Sequence, residues 1–172
     1  MLETFACDAI IRRALAGGGE FADIYYEAGI ATLIAVEDGK VEKVLATTDQ
    51  GVGIRVISDC RTAYAYTNEI SEDSLLALAE TVSRAVRGKA FDRPIAVGAR
   101  QLGASLPIAQ HPGSIPLRDK VARVSRAEQA ARAYHDQVRQ VMTLYRDGVA
   151  KVQTVNSLGE FTENERIGTL FV

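Results

Sequence analysis

The 172-residue sequence has no tryptophan, only 6% aromatic residues, two cysteines, two histidines and four prolines. Each shortage closes off a class of function. So few aromatics give little surface for stacking bases. A net charge of −2, with acidic and basic residues interspersed, supplies no phosphate-binding field, so nucleic acid is disfavoured as a partner. Cys7 and Cys60 lie too far apart for a Cys-x-x-Cys metal site, and a disulfide framework needs more of them. Both read as reduced thiols of a cytoplasmic protein, Cys60 being the more exposed. No apolar run approaches the roughly 18–20 residues of a membrane span, so no membrane partner is expected. Glu3 and Asp8 replace the basic start of a signal peptide.

What remains is ordinary soluble composition, 47% apolar and 24% charged, in alternating short elements. A helix is predicted over 4–16, with Phe5, Ala6, Ala9, Ile10 and Ala14 at helical spacing and Gly17-Gly18-Gly19 as its stop. Strands are predicted at Phe21–Glu27, at Thr32–Val36 and Val41–Ala46 around an Asp38-Gly39 turn, and at Val52–Val56 and Ala63–Thr67 around Ser58–Arg61. That makes about five strands in meander order. Ser71 should cap a second helix, with Glu72 and Asp73 in its first turn. Leu75, Leu78, Ala79, Val82, Ala85 and Val86 form its buried stripe, and Arg84, Arg87 and Gly88 close it.

A proline-containing connection spans 88–116 and holds all four prolines. A third helix then runs from Pro116 to Val138, with Leu117, Val121, Val124, Ala127, Ala131, Tyr134 and Val138 on a narrow apolar face and its charges in solvent. Val141–Tyr145 and Val149–Val155 flank Asp147-Gly148, which reads as a second hairpin turn. Residues 117–155 therefore echo 4–46. The final Ile167–Val172 reads as a strand in mid-course, so a longer protein is expected to complete the sheet. The fold class is α+β: a largely antiparallel or mixed sheet of hairpins backed by about three helices and truncated at its C-terminal end. Its parts are helix-backed hairpins over 1–87, the connection over 88–116, and a helix plus hairpin over 117–172.

A search for chemistry along the chain finds little. His111 and His135 form no His-x-x-x-His or His-Glu-x-x-His spacing and read as surface residues. Cys60 has Arg61 beside it but no histidine in motif. Ser58 and Ser157 lack the Gly-x-Ser-x-Gly setting. The pairs Glu37/Asp38, Glu72/Asp73 and Glu163/Glu165 fall where turns and helix starts favour carboxylates. The triple glycine follows a helix where a phosphate loop must precede one. Gly51-x-Gly53 opens a strand, so it suits strand packing better than a dinucleotide.

The run Asp49-Gln50-Gly51-Val52-Gly53-Ile54-Arg55, leading to Thr62-Ala63-Tyr64-Ala65-Tyr66, resembles the TldD branch of the TldD/PmbA family. Ala22-Asp23-Ile24-Tyr25-Tyr26, Val36-Glu37-Asp38-Gly39 and Ser125-Arg126-Ala127-Glu128 extend the likeness over nearly the whole chain. The resemblance implies the N-terminal region of a zinc metallopeptidase that cleaves flexible peptides and acts with itself or a PmbA-like subunit, in a family also labelled as modulators of DNA gyrase. The family's zinc ligands come from a His-Glu-x-x-x-His helix and a later Cys. These 172 residues contain no such motif, so no catalytic, cofactor-binding or metal residue carries over: zinc is implied for the full-length protein and no cofactor for this stretch. The expected role is thus a non-catalytic N-terminal domain with extended peptide as substrate of the whole protein. The alternative is a stand-alone protein-binding or regulatory module without peptidase activity.

Overall fold

A computed structural model describes residues 2–86, 98–99 and 107–172. The fold is α+β. Its elements are α1 (Cys7–Leu15), β1 (Phe21–Glu37), β2 (Lys40–Ser58), β3 (Arg61–Thr67), α2 (Glu72–Ala85), β4 (Gly98–Ala99), α3 (Leu117–Arg132), β5 (Met142–Asn156) and β6 (Glu160–Phe171). The sheet order is β3-β2-β1-β5-β6-β4. β2 and β3 are antiparallel, with Gly53 opposite Tyr66 and Arg55 opposite Tyr64, whereas the short β4 runs parallel to β6.

Strand length is the main correction to the sequence reading. The two strands expected in 21–36 are one strand of 17 residues, and those expected in 41–56 are one of 19. Neither Gly29 nor Gly51 interrupts the chain, because each packs beside a neighbouring strand. A methyl at Gly29 would lie 3.2 Å from the Val149 carbonyl oxygen of β5, and one at Gly51 3.4 Å from the Thr67 carbonyl oxygen of β3. Asp38 and Gly39 do form the expected turn, with φ of 47° and 78°, as a type I′ turn requires. Asp59 and Cys60 do the same at φ 49° and 60°.

Asp147-Gly148 is no turn. It lies within β5, and the chain reverses at Ser157–Gly159, where Gly159 has φ 84°. Asn156 Oδ1 accepts the Leu158 and Glu160 amides at 3.0 and 3.1 Å, the side-chain turn geometry that asparagine favours. The echo read over 117–155 therefore fails as drawn, because those residues hold α3 and a single strand, and the hairpin partner β6 begins only at Glu160. The third helix ends at Arg132, short of the expected Val138, and leaves Tyr134 87% exposed. Arg87, Gly88 and most of the 88–116 connection lie outside the described residues.

The chain divides into two compact units. The first comprises Met1–Ala28, Gln50–Gly103 and Lys151–Asn164. Its core joins Ile10, Ile11 and Leu15 of α1 to Ile24, Val52, Ile54 and Val56 of the strands and Leu75, Ala79 and Val82 of α2. α1 is only nine residues long and has no side-chain cap, too short to persist alone. Its Ile10, Ile11, Ala14 and Leu15 are fully buried, and each large side chain contributes roughly 1.5–3 kcal/mol. Burial therefore sustains this helix. α2 has a local start as well: Ser71 Oγ accepts the Ser74 N–H at 3.2 Å, as expected. The second unit comprises Gly29–Asp49, Ala104–Ala150 and Glu165–Val172. Its smaller core is Ile34, Val36 and Val124, with Val121 and Tyr145 packed against it.

Candidate functional site

The residue types that carry hydrolytic or metal chemistry are mostly engaged in holding turns and strands. His111 Nδ1 accepts the Gly113 N–H at 3.1 Å, and His135 Nδ1 accepts that of Gln137 at 3.1 Å. Ser58 is buried and its Oγ donates to the Gly18 carbonyl at 3.1 Å. Ser157 is also buried, with Oγ accepting the Ala22 amide at 3.1 Å. Cys7 is buried and donates to the Leu2 carbonyl; burial first, and Asp8 second, raise its thiol to about 11. Cys60 is exposed on its turn. Glu37 and Asp38 flank a turn, and Glu72 and Asp73 start α2, as read; Glu163 and Glu165 are instead on β6. Among the described residues no three His, Cys, Asp or Glu side chains converge as a metal site. His111 Nε2 lies 3.4 Å from Glu165 Oε1, and no third such side chain joins them among the described residues. The described residues do not fit a zinc ion.

Sequence reasoning missed the buried charges of the second unit. Lys120, Val124 and Glu128 form the buried side of α3, whereas all its charges were expected in solvent. Their spacing of four residues places them on one stripe, so the fully buried part of the helix is one valine between two ions, with Val121 half-buried beside it. Lys120 Nζ meets Asp147 Oδ2 at 2.5 Å, with both side chains almost wholly buried. Tyr145 Oη donates to the same carboxylate at 2.6 Å. Burial would raise the Asp147 pKa, but Lys120, Tyr145 and Thr32 outweigh it and hold it below the usual carboxylate range. Burial, then the Asp147 carboxylate, push the Tyr145 phenol up to about 12. Glu128 Oε1 accepts the Gly39 amide at 3.0 Å and Arg132 Nε at 2.9 Å. Arg132 also reaches Asp38. These contacts pin the β1–β2 turn to α3, and their chemistry is structural.

The open surfaces are the candidates for recognition. In the first unit, Asp23, Arg55, Tyr64 and Tyr66 stand on the sheet face away from the core. Arg55 Nε donates to Asp23 Oδ1 at 3.0 Å, and the two tyrosine rings stack at 6.3 Å. Gly53 is part of this surface: a methyl there would lie 2.5 Å from Tyr64 Oη, so the ring lies over the glycine. That gives Gly53 the packing role read from its place in a strand. In the second unit the edge of β2 is open. β3 pairs with β2 only from Val52 to Ser58, which leaves Lys40–Gln50 without a partner on the side away from β1, among the described residues. Every residue from Lys40 to Gln50 is exposed, and Val41, Val44 and Leu45 are the large apolar ones. An unpaired run of this length is a ready template for another strand.

The sequence profile of the PmbA/TldA metallopeptidase domain 1 matches residues 22–88, and that of the PmbA/TldA metallopeptidase central domain matches residues 110–172. The chain belongs to the PmbA/TldD family. A metalloprotease TldD homolog of Haemophilus influenzae is 33% identical over 63 residues, covering 37% of this chain and 13% of that protein. Among solved structures, TldE of Thermococcus kodakarensis superposes with a TM-score of 0.69 at 14% identity, covering 96% of this chain and 38% of that one. A Thermotoga maritima protein named for modulation of DNA gyrase gives 0.69 at 16% identity, covering 88% and 34%. At such identities the structures share the fold. The family member described here spans little more than a third of their length. No helix of the described residues is long and apolar enough to cross a membrane.

Proposed function

We propose that the chain is the non-catalytic N-terminal part of a TldD-like zinc-dependent peptidase of the cytoplasm, acting on flexible peptides with itself or a PmbA-like subunit. The carrying observation is that both family profiles match while the described histidines, cysteines and carboxylates assemble no metal site. The ligands would then lie in sequence beyond these residues. What this part contributes is architecture and a docking edge. The open β2 edge at Lys40–Gln50 suits strand addition by an extended peptide, in which main-chain hydrogen bonds give affinity whatever the sequence.

Metal analysis and proline substitution test the two halves of this reading. The purified 172-residue chain should hold no stoichiometric zinc and cleave no casein; one tightly bound zinc per chain would overturn it. Val44→Pro and Leu45→Pro remove adjacent amides, which point to opposite sides of the strand. One variant should keep its stability and lose peptide binding, whereas the other breaks the β1–β2 ladder and melts earlier. Unchanged binding in the stable variant would remove the edge from the proposal.

A further inference from the structure

A second surface lies on the helices of the first unit. Ala9, Arg12, Arg13 and Ala16 of the α1 side face Leu76, Ala77 and Glu80 of α2 across an open groove of about 670 Å³. Three alanines keep its floor low and Leu76 gives it apolar depth. The rim is charged unevenly. Glu80 is satisfied twice over, by Arg13 at 2.5 Å and by Arg84 at 3.0 Å. Arg12 is exposed and has no carboxylate partner among the described residues. The rim therefore carries two guanidinium groups, Arg12 and Arg13, against one carboxylate, and Arg84 further neutralises that carboxylate from outside the groove.

We infer that this groove docks an amphipathic helix of a partner protein, one with an apolar stripe flanked by glutamate or aspartate. Backbone chemistry selects a helix over an extended segment. Both walls are helices whose main-chain groups are already bonded, so a strand lying there would leave its own amides and carbonyls unpaired. A helix arrives with these groups satisfied and offers only side chains, the mode in which apolar anchors at helical spacing fill a groove. The surplus positive rim selects acidic flanks and disfavours a second copy of the same groove. A small amphiphile with one carboxylate would match the charge but leave much of its chain in water, because the groove is open along its length.

The test uses labelled synthetic peptides about four turns long, with one leucine stripe flanked by glutamates in one version and lysines in the other. Anisotropy titration of the 172-residue chain should show the glutamate peptide binding about tenfold more tightly than the lysine peptide. Arg12→Glu, at an exposed position, should weaken the glutamate peptide about fivefold. Ala77→Trp fills the floor and should abolish binding, whereas Arg118→Glu on the third helix should leave it unchanged. In the wild-type chain the amide NMR signals of Ala9, Ala16, Leu76 and Ala77 should shift on titration, independently of how any variant folds. Equal affinity for the two peptides, no binding of either, or displacement of the peptide by laurate would overturn the inference. Shifts confined to Lys40–Gln50 would overturn it too, while leaving the strand-edge proposal standing.

Discussion

Two glycines show how similar close contacts carry different consequences. A methyl at Gly17 would lie 1.9 Å from the Ser83 carbonyl oxygen, which belongs to the backbone of α2 next to its buried stripe. The only relief is to separate α1 from α2. We expect Gly17→Ala to cost about 2–3 kcal/mol in urea unfolding; a loss below about 0.5 kcal/mol would show that the helices can part freely. At Gly53 the obstacle is the tip of Tyr64, whose side chain is 59% exposed and can swing into solvent. Gly53→Ala should therefore cost under about 1 kcal/mol while displacing the ring from its stack on Tyr66. The thiols differ as sharply. Cys7 is buried and raised to about 11, whereas Cys60 is exposed on a turn. An Ellman titration of the native chain should find one fast thiol, removed by Cys60→Ser, and a second only in denaturant. A native Cys7 that reacts as fast as Cys60 would contradict its burial.

At the scale of elements, α3 docks through ions, and this gives it a pH dependence. Replacing Lys120 by methionine strands the Asp147 carboxylate in the interior and should cost about 3–5 kcal/mol. The double replacement Lys120→Met with Asp147→Leu should recover most of that loss, since a packed apolar pair does nearly as well as a buried ion pair. Asp147 has a depressed folded pKa. Its contribution is fully present above the ordinary carboxylate range near 4 and is lost as pH falls through the lower folded value. Tyr145 is raised from 10.0 to about 12, so its contribution is present below the ordinary value and lost as pH rises toward about 12. Melting curves across pH should steepen in both windows for the wild type and flatten on the acid side in the double variant. An acid limb identical in the two would remove Asp147 from the account. These ions also mark the limit of what could be read in advance. The two positive-φ turns and the Ser71 cap were legible because their signals are local. Lys120 and Glu128 look like solvated charges until Asp147, Gly39 and Arg132 are known to face them. Asp147-Gly148 carries a turn signal that its buried ion pair overrides.

For the whole molecule, the profile boundaries and the compact units divide the chain differently. The domain 1 profile ends at residue 88, yet the first unit needs Lys151–Asn164 to be complete. The physical reason lies in its buried polar groups. The Leu2 amide donates to Gln153 Oε1 at 2.9 Å, and the Ala22 amide to Ser157 Oγ at 3.1 Å, while Val155 is part of the apolar core. A fragment ending at Gly103 would lack all three. It would leave two main-chain donors buried without partners, each costing about 1–3 kcal/mol, and would open the β1 edge that β5 covers. Such losses take up much of the roughly 5–15 kcal/mol that holds an ordinary domain together. Fragment 1–103 should therefore melt without a cooperative transition and expose apolar surface to a dye such as ANS. Adding a separately made 140–172 peptide should restore a sigmoidal melt. If 1–103 alone unfolds as sharply as the 172-residue chain, β5 and β6 are dispensable to the first unit, and the profile boundary is also the folding boundary.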